Sequence, residues 1–286
     1  MSSTPSGLIT LTTDFGTSDH FVGVMKGVIL GIAPRARLVD ITHNITPFEV
    51  NEGAFVIAQA WRHFPKGTIH VVVVDPGVGS ARRPILIETS GVETSGAETS
   101  GVETSGVETG GHYFIGPDNG VFSIIYDAAT HKVREITNPK VMLSRVSRTF
   151  HGRDVFAPAA AHLARKTPPA RFGKLVRDAV RSAALTPART ARNQWTGRVL
   201  KTDRFGNLIT NFHVDSFADV KTQPFELRVG LERIHRLALT YSETELGEVF
   251  VIAGSSGYLE VAANQGDAAK ITGCGVGAPV ELEVPA

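Results

Sequence analysis

Cysteine is almost absent: Cys274, within Gly273-Cys274-Gly275, is the single one in 286 residues. No intramolecular disulfide and no cysteine-pair zinc site can form, and a reducing, cytoplasmic location fits. A His-Glu-x-x-His helix is also missing, so no metal site is expected. The chain lacks a Gly-x-Ser-x-Gly nucleophile elbow, which argues against an α/β-hydrolase serine. An excess of one charge is missing too, since 29 Lys and Arg oppose 28 Asp and Glu and are scattered among them. That balance gives no electrostatic footprint for nucleic acid, and no such partner is expected. No apolar run is long enough to cross a bilayer, and residues 1–7 have no basic stretch of a secretion signal, so no membrane partner is expected. The remaining composition, 42% hydrophobic and 20% charged, is that of a folded chain long enough for two cores.

Residues 8–165 alternate short β-type runs with helix-like stretches. This predicts an α/β domain over residues 1–165, a mostly parallel sheet with flanking helices. Residues 8–13, 37–42 and 68–75 read as strands, and 21–32, 51–64 and 155–164 as helices. Phe21, Val24, Met25, Val28 and Ile32 form one helical stripe, and Pro34 ends that helix. The run Val71-Val72-Val73-Val74 suits a central strand buried on both faces. Ligands of open α/β sheets bind at the C-terminal strand edge, where Asp14 and Asp75 emerge.

Residues 166–192 are rich in Pro, Ala and Arg and predict a connector with a short helix at 172–183. Residues 193–286 carry β-type runs at 195–202, 207–214, 225–229, 233–241, 248–253, 258–262 and 279–284. Turn residues separate them, as in an all-β small barrel or sandwich domain. Residues 91–111 repeat a five-residue unit, Gly-Val-Glu-Thr-Ser with a Gly-Ala-Glu-Thr-Ser variant, without an aromatic anchor. Five residues is too short a period for stacked helical repeats, so a mobile acidic surface loop is expected.

Three motifs could carry chemistry. In Thr12-Thr13-Asp14-Phe15-Gly16 a carboxylate follows an apolar strand; it suits a ribose diol and equally suits a helix cap. Asp75-Pro76-Gly77-Val78-Gly79-Ser80-Ala81-Arg82 lacks the Gly-Lys-Ser/Thr ending of a phosphate loop. A tight glycine turn could instead fold Arg82 back onto Asp75, giving an ionised carboxylate able to hold a water, or a purely structural ion pair. Phe150-His151-Gly152-Arg153-Asp154 offers a histidine beside a small residue, with a role only if it meets Asp75 and Arg82. In the second half, Asp203-Arg204-Phe205-Gly206-Asn207, Ser255-Ser256-Gly257-Tyr258 and Asn264-Gln265-Gly266 are turns dense in hydrogen-bonding groups.

Taken in order, Thr13-Asp14-Phe15-Gly16, Asp75-Pro76-Gly77-Val78-Gly79, Pro117-Asp118-Asn119-Gly120, Thr149-Phe150-His151-Gly152-Arg153-Asp154, Asp203-Arg204-Phe205-Gly206-Asn207 and Ser256-Gly257-Tyr258-Leu259 resemble the S-adenosyl-L-methionine hydroxide adenosyltransferases. The resemblance spans nearly the whole chain outside the repeat and the connector. It implies that water attacks the ribose 5′ carbon of S-adenosyl-L-methionine and that L-methionine leaves, giving adenosine, with no cofactor. It further implies that Asp75, Arg82 and His151 position the water, that Asp14 holds the ribose diol and that Asp203 holds the methionine ammonium. Asn207 and Ser256 then meet other polar groups of the substrate, Phe48 forms an apolar wall, and Ser255 and Gln265 join as substrate-binding candidates. A homotrimer is implied, each site lying between the N-terminal domain of one subunit and the C-terminal domain of the next.

Relatives that transfer halide place Tyr where Asp75 stands and Tyr-Ser where His151-Gly152 stands, so this chain carries the hydrolytic set. An inserted loop near residues 91–111 is the one halide-like feature. Two other classes stay open. Asp14 and Asp19 after a first strand also fit a calcium-dependent nucleoside hydrolase, and a non-catalytic sensor of S-adenosylmethionine would need the same binding residues.

Overall fold

The computed structural model describes residues 4–90 and 111–285. The expected acidic loop at 91–111 therefore lies outside the described residues, save for Gly111. The chain divides into two compact units, residues 1–182 and 183–286.

In the first unit, β1 (Leu8–Thr13), α1 (Phe21–Ile32), β2 (Arg37–Thr42), α2 (Val50–Ala60) and β3 (Ile69–Val73) follow one another. Then come β4 (Pro84–Thr89), β5 (Tyr113–Pro117), α3 (Ser123–Ala128), β6 (His131–Glu135), α4 (Ala157–Ala164) and β7 (Leu175–Val176). The seven strands make one sheet in the order β2-β1-β3-β5-β4-β6-β7. Pairing is parallel from β2 to β5 and antiparallel from β5 to β7, so the expected mostly parallel sheet is corrected to a mixed one. From β4 onward the strands pair antiparallel, an arrangement that requires no crossover helix between neighbours.

The valine run does what continuous apolarity predicts. Val71 and Val73 face a core built with α1 and α4, and Val72 faces a second core with Ile57, Trp61, Phe114 and Phe122. Each buried valine contributes roughly 1.5–3 kcal/mol of transfer free energy. The sheet is thereby fixed in place as the platform for its loops. Residues 152–156 form a π turn that runs into α4, whose Ala157, Ala159, Ala160 and Ala161 are fully covered. Such a π turn widens the helix start and turns the preceding residue outward.

Residues 166–182 belong to the first unit rather than to a connector. Strand β7 adds to β6, and the buried Asp118 carboxylate accepts from the Val180 amide at 2.8 Å and from Arg83 Nε at 2.8 Å, tying this strap down. The expected helix at 172–183 is absent; the stretch is extended because it is hydrogen-bonded to β6 and Asp118.

The second unit contains β8 (Ala188–Ala191), β9 (Gln194–Thr202), β10 (Leu208–His213), β11 (Glu226–Val229), β12 (Glu232–Ile234) and β13 (Leu237–Ala238). It ends with β14 (Val249–Ala253), β15 (Tyr258–Ala263), α5 (Ala268–Thr272) and β16 (Pro279–Glu283). The path β12-β11-β16-β9-β10-β15-β14-β13, with β8 beside β9, is a single open sheet, antiparallel except at β13–β14. It curls so that β12 comes near β14, which closes Val199, Phe212, Leu227 and Val261 into one core without two separate layers. The expected run at 233–241 is two short strands, broken at His235, whose Nδ1 pairs with the Phe225 carbonyl at 3.1 Å.

Candidate active site

Strand register builds the first half of the site. Thr13 lies opposite Val73 in the parallel β1–β3 pair, so both strands release the chain at the same edge, with Asp14 beside Val74 and Asp75 one residue on. Asn119 donates from Nδ2 to the Val74 carbonyl at 2.9 Å and pins the end of β3. The Asp14 carboxylate accepts from the Phe48 amide at 2.9 Å. Phe48 has a φ of 71° and its side chain is 70% exposed, so the strained backbone presents the amide to Asp14 and leaves the ring outside. Burial raises the Asp14 pKa above the ordinary carboxylate value; the Phe48 amide opposes this and the nearby Asp75 charge adds to it.

The glycine turn then folds back. Val78 donates to the Asp75 carbonyl at 3.2 Å and Ser80 to the Gly77 carbonyl at 3.1 Å, two successive turns that reverse the chain. Arg82 returns to Asp75 as a two-pronged pair, Nε to Oδ1 at 2.9 Å and Nη2 to Oδ2. The side chains are 8% and 5% exposed, so both charges are desolvated and depend on each other. Gly79, at φ 77°, lies so close to the Arg148 carbonyl that a Cβ would sit 2.2 Å from it. That contact seats the glycine turn on the segment leading to His151.

His151 completes the trio: Arg82 Nη2 lies 2.8 Å from its Nδ1. A guanidinium can only donate, so Nδ1 accepts and the ring proton of a neutral His151 sits on Nε2. Burial lowers the His151 pKa, and the Arg82 charge lowers it further, against Asp75 and Asp154. The imidazole is thus held neutral near physiological pH. Gly152 allows this placement, because a Cβ would come within 3.1 Å of Met25 Sδ and 3.2 Å of the Phe150 ring. Asp154 is structural: its carboxylate accepts from the Ser147 amide at 2.8 Å and from Arg153 Nε at 2.6 Å. Phe15, Phe21 and Phe150 stack edge-on and tilted at 5.1–5.9 Å beside this edge and supply an apolar wall. Arg82 Nη1 is buried without a hydrogen-bond partner.

The second unit gathers another polar group of residues. Asp203 Oδ1 accepts from the Phe205 amide at 2.8 Å and the Asn207 amide at 2.9 Å, and its Oδ2 accepts from Asn207 Nδ2 at 2.9 Å. Asn207 and Gln265 line a cavity of about 690 Å³ together with Phe205, Tyr241 and Ala263. Ser256 Oγ donates to Glu260 Oε1 at 3.2 Å, while Ser255 is exposed in the β14–β15 turn. Sequence reasoning missed Glu260 and Tyr241. Glu260 is 7% exposed, and burial raises its pKa, with the Asp203 charge adding to the effect. Its signal was a lone carboxylate inside the apolar run Tyr258-Leu259-Glu260-Val261-Ala262. Among the described residues no group of three or more His, Cys, Asp and Glu side chains is arranged to hold a metal ion, and no helix is long and apolar enough to cross a membrane.

An α/β unit with paired carboxylate, guanidinium and neutral imidazole at its parallel strand edge, followed by an all-β unit with its own cavity, describes a two-domain small-molecule enzyme. Residues 9–173 match the SAM hydroxide adenosyltransferase N-terminal domain and residues 197–281 match the C-terminal domain of the same name. The chain belongs to the SAM hydroxide adenosyltransferase family. It is 38% identical over 280 residues to an (R)-S-adenosyl-L-methionine hydrolase of Salinispora arenicola, covering 95% of each chain. A fluorinase of an Actinoplanes species is 30% identical, with 90% of this chain and 91% of that one covered. The crystal structure of an uncharacterized conserved protein from Thermotoga maritima superimposes with a TM-score of 0.79 at 33% identity, covering 96% of this chain and 99% of that one.

Proposed function

We propose that the chain is an S-adenosyl-L-methionine hydrolase: water attacks the ribose 5′ carbon, the C5′–S bond breaks with its electron pair going to sulfur, and one proton is released. The products are adenosine and L-methionine. The observation that carries this is the Asp75–Arg82–His151 contact at the strand edge of a chain in this family. Methionine leaving from a sulfonium needs no protonation, so the protein's work is to align a weak nucleophile and exclude bulk water. The Asp75 carboxylate, held in place by Arg82, accepts a hydrogen bond from the water and aims its lone pair. Neutral His151 offers its Nε2 proton as a second anchor. A halide anion would instead meet the fixed negative charge of Asp75, which favours hydrolysis over the halide transfer for which the fluorinases are named.

Asp14 receives the ribose diol, Asp203 the methionine ammonium, and Asn207, Ser255, Ser256 and Gln265 further polar groups, with Phe48 as an apolar wall. The relatives' name specifies an (R) substrate, and since L fixes the amino acid, we assign that label to sulfur and extend it to this chain. Cofactor independence, homotrimeric assembly and a cytoplasmic location are parts of the same proposal. The test is incubation of purified protein with each sulfonium epimer. Adenosine and methionine form in chelator, without dependence on chloride, and faster from the (R) epimer. Free adenine, a halogenated nucleoside or binding without turnover would contradict it.

A further inference from the structure

Behind Asp14 lies a hydrogen-bonded chain that the proposed chemistry does not use. His43 is buried just after β2; its Nδ1 is hydrogen-bonded to Thr13 Oγ1 at 2.9 Å, while its Nε2 lies 3.1 Å from Asp40 Oδ1 in a charge contact without hydrogen-bond alignment. Lys26, on α1, donates to the other Asp40 oxygen at 2.6 Å. Burial alone would raise the Asp40 pKa, but the Lys26 hydrogen bond and the nearby His43 hold it below the ordinary value. The Asp40 carboxylate beside Nε2 favours the ring proton on that side, which leaves Nδ1 as an acceptor for the Thr13 hydroxyl. The Thr13 oxygen then keeps a lone pair for the Phe15 amide, 3.3 Å away.

The backbone is clamped by the same residues. Gly16 donates to the His43 carbonyl at 2.7 Å and Ile45 to the Thr13 carbonyl at 3.3 Å. Four residues beyond Thr46, whose amide is held at 2.9 Å by the buried Glu52 carboxylate, α2 is already under way. Phe48 in turn delivers its amide to Asp14. The Asp14 turn and the 43–48 segment are therefore fixed to each other on both sides of the carboxylate, with Thr13 and His43 at the hinge.

Resting on the assignment of Asp14 to the ribose diol, we propose that His43 and Thr13, with the Asp40 carboxylate beside them, form a positioning relay that orients Asp14 for the two ribose hydroxyls. They are positioning residues: none touches substrate, and each acts through the Asp14 turn. The relay makes discrimination for a ribose with both hydroxyls depend on His43, a residue remote from the sulfonium.

The test compares the wild type with His43→Ala, His43→Asn, Thr13→Val and Thr13→Ser, using S-adenosyl-L-methionine and its 2′,3′-dideoxy analogue. Asparagine places its Oδ1 near the His43 Nδ1 position, and serine keeps the Thr13 hydroxyl, so these two variants are the rescues. His43→Ala and Thr13→Val are expected to raise KM about ten-fold for the full substrate, because the hydrogen bonds at risk are made to a charged group. Their kcat is expected to stay within about three-fold of wild type, since diol binding acts equally on ground and transition states. Against the dideoxy analogue, all five proteins are expected to share one KM. Thr13→Ser and His43→Asn are expected to return the full-substrate KM toward wild type. Equal losses on both substrates, a fall in kcat alone, or no effect in Thr13→Val would overturn the relay while leaving hydrolysis standing. No adenosine release by the wild type would overturn hydrolysis, and the relay's ribose role with it.

Discussion

At the residue scale, one desolvated carboxylate and a neutral ring share one guanidinium. Arg82 occupies both Asp75 oxygens and the His151 Nδ1, so one cation orients both partners. This separates two substitutions that are usually treated as one. Asp75→Asn keeps the shape and is expected to lower kcat by about 10²–10³-fold, the scale of losing one oriented electrostatic contact. Asp75→Ala leaves Arg82 buried and unpaired and is expected to cost about 3–5 kcal/mol of stability as well, measured by denaturant unfolding. Asp75→Asn also removes the charge that offsets Arg82 and is expected to lose stability too; unchanged stability in Asp75→Ala would contradict the paired burial. The pH response follows from two opposite shifts. The pKa of His151 is lowered, so it stays neutral as pH falls through its ordinary titration range. Asp14 is raised, so it loses its charge at a higher pH than an ordinary carboxylate. The expected profile therefore has KM rising on the acid side as Asp14 protonates, with no inflection in kcat at the ordinary histidine value; an inflection there would argue against the neutral ring.

At the element scale, turns and edges bring together residues 75, 82 and 151. Gly79→Ala would push a methyl into the Arg148 carbonyl at a φ of 77°, and is expected to cost about 1–3 kcal/mol. Turnover should fall further than stability, because the contact seats Arg82 near His151. A second element carries its own pH signature. His70 on β3 sits between Thr10 Oγ1 at 2.8 Å and His112 Nδ1 at 3.1 Å. Burial pushes His70 well below its ordinary value and His112 down to about 4. The unfolded chain takes up these protons first, so the stability they contribute is complete above about 6.5 and is lost as pH falls toward about 4. Scanning calorimetry is expected to show Tm falling across that window, and more shallowly in His112→Gln. The strands β1 and β2 and helix α1 were legible to the residue, because apolar period and Pro34 mark them locally. The mixed pairing of β4 to β7 was not, since it depends on contacts between residues such as Ile85 and Glu135 that no local pattern encodes.

At the scale of the whole molecule, the chain puts an edge-of-sheet trio in one unit and, in the other, a cavity walled by Phe205 and Tyr241 and edged by Asn207 and Gln265. The candidate site was legible as six short motifs in order, but their geometry was not. That Asp75 and Arg82 touch could be guessed from a seven-residue glycine turn; that His151 joins them required the π turn and Gly152 packed on α1. Glu260 and the His43–Thr13 contact escaped notice because burial, not residue type, makes them unusual. Assembly is tested by sedimentation of the purified protein, which is expected to run as a trimer. The most direct test of the central claim is turnover in water enriched in heavy oxygen, followed by mass analysis of the adenosine. One label at the 5′ oxygen of each product molecule is expected from attack by water at carbon. Adenosine without label would contradict it.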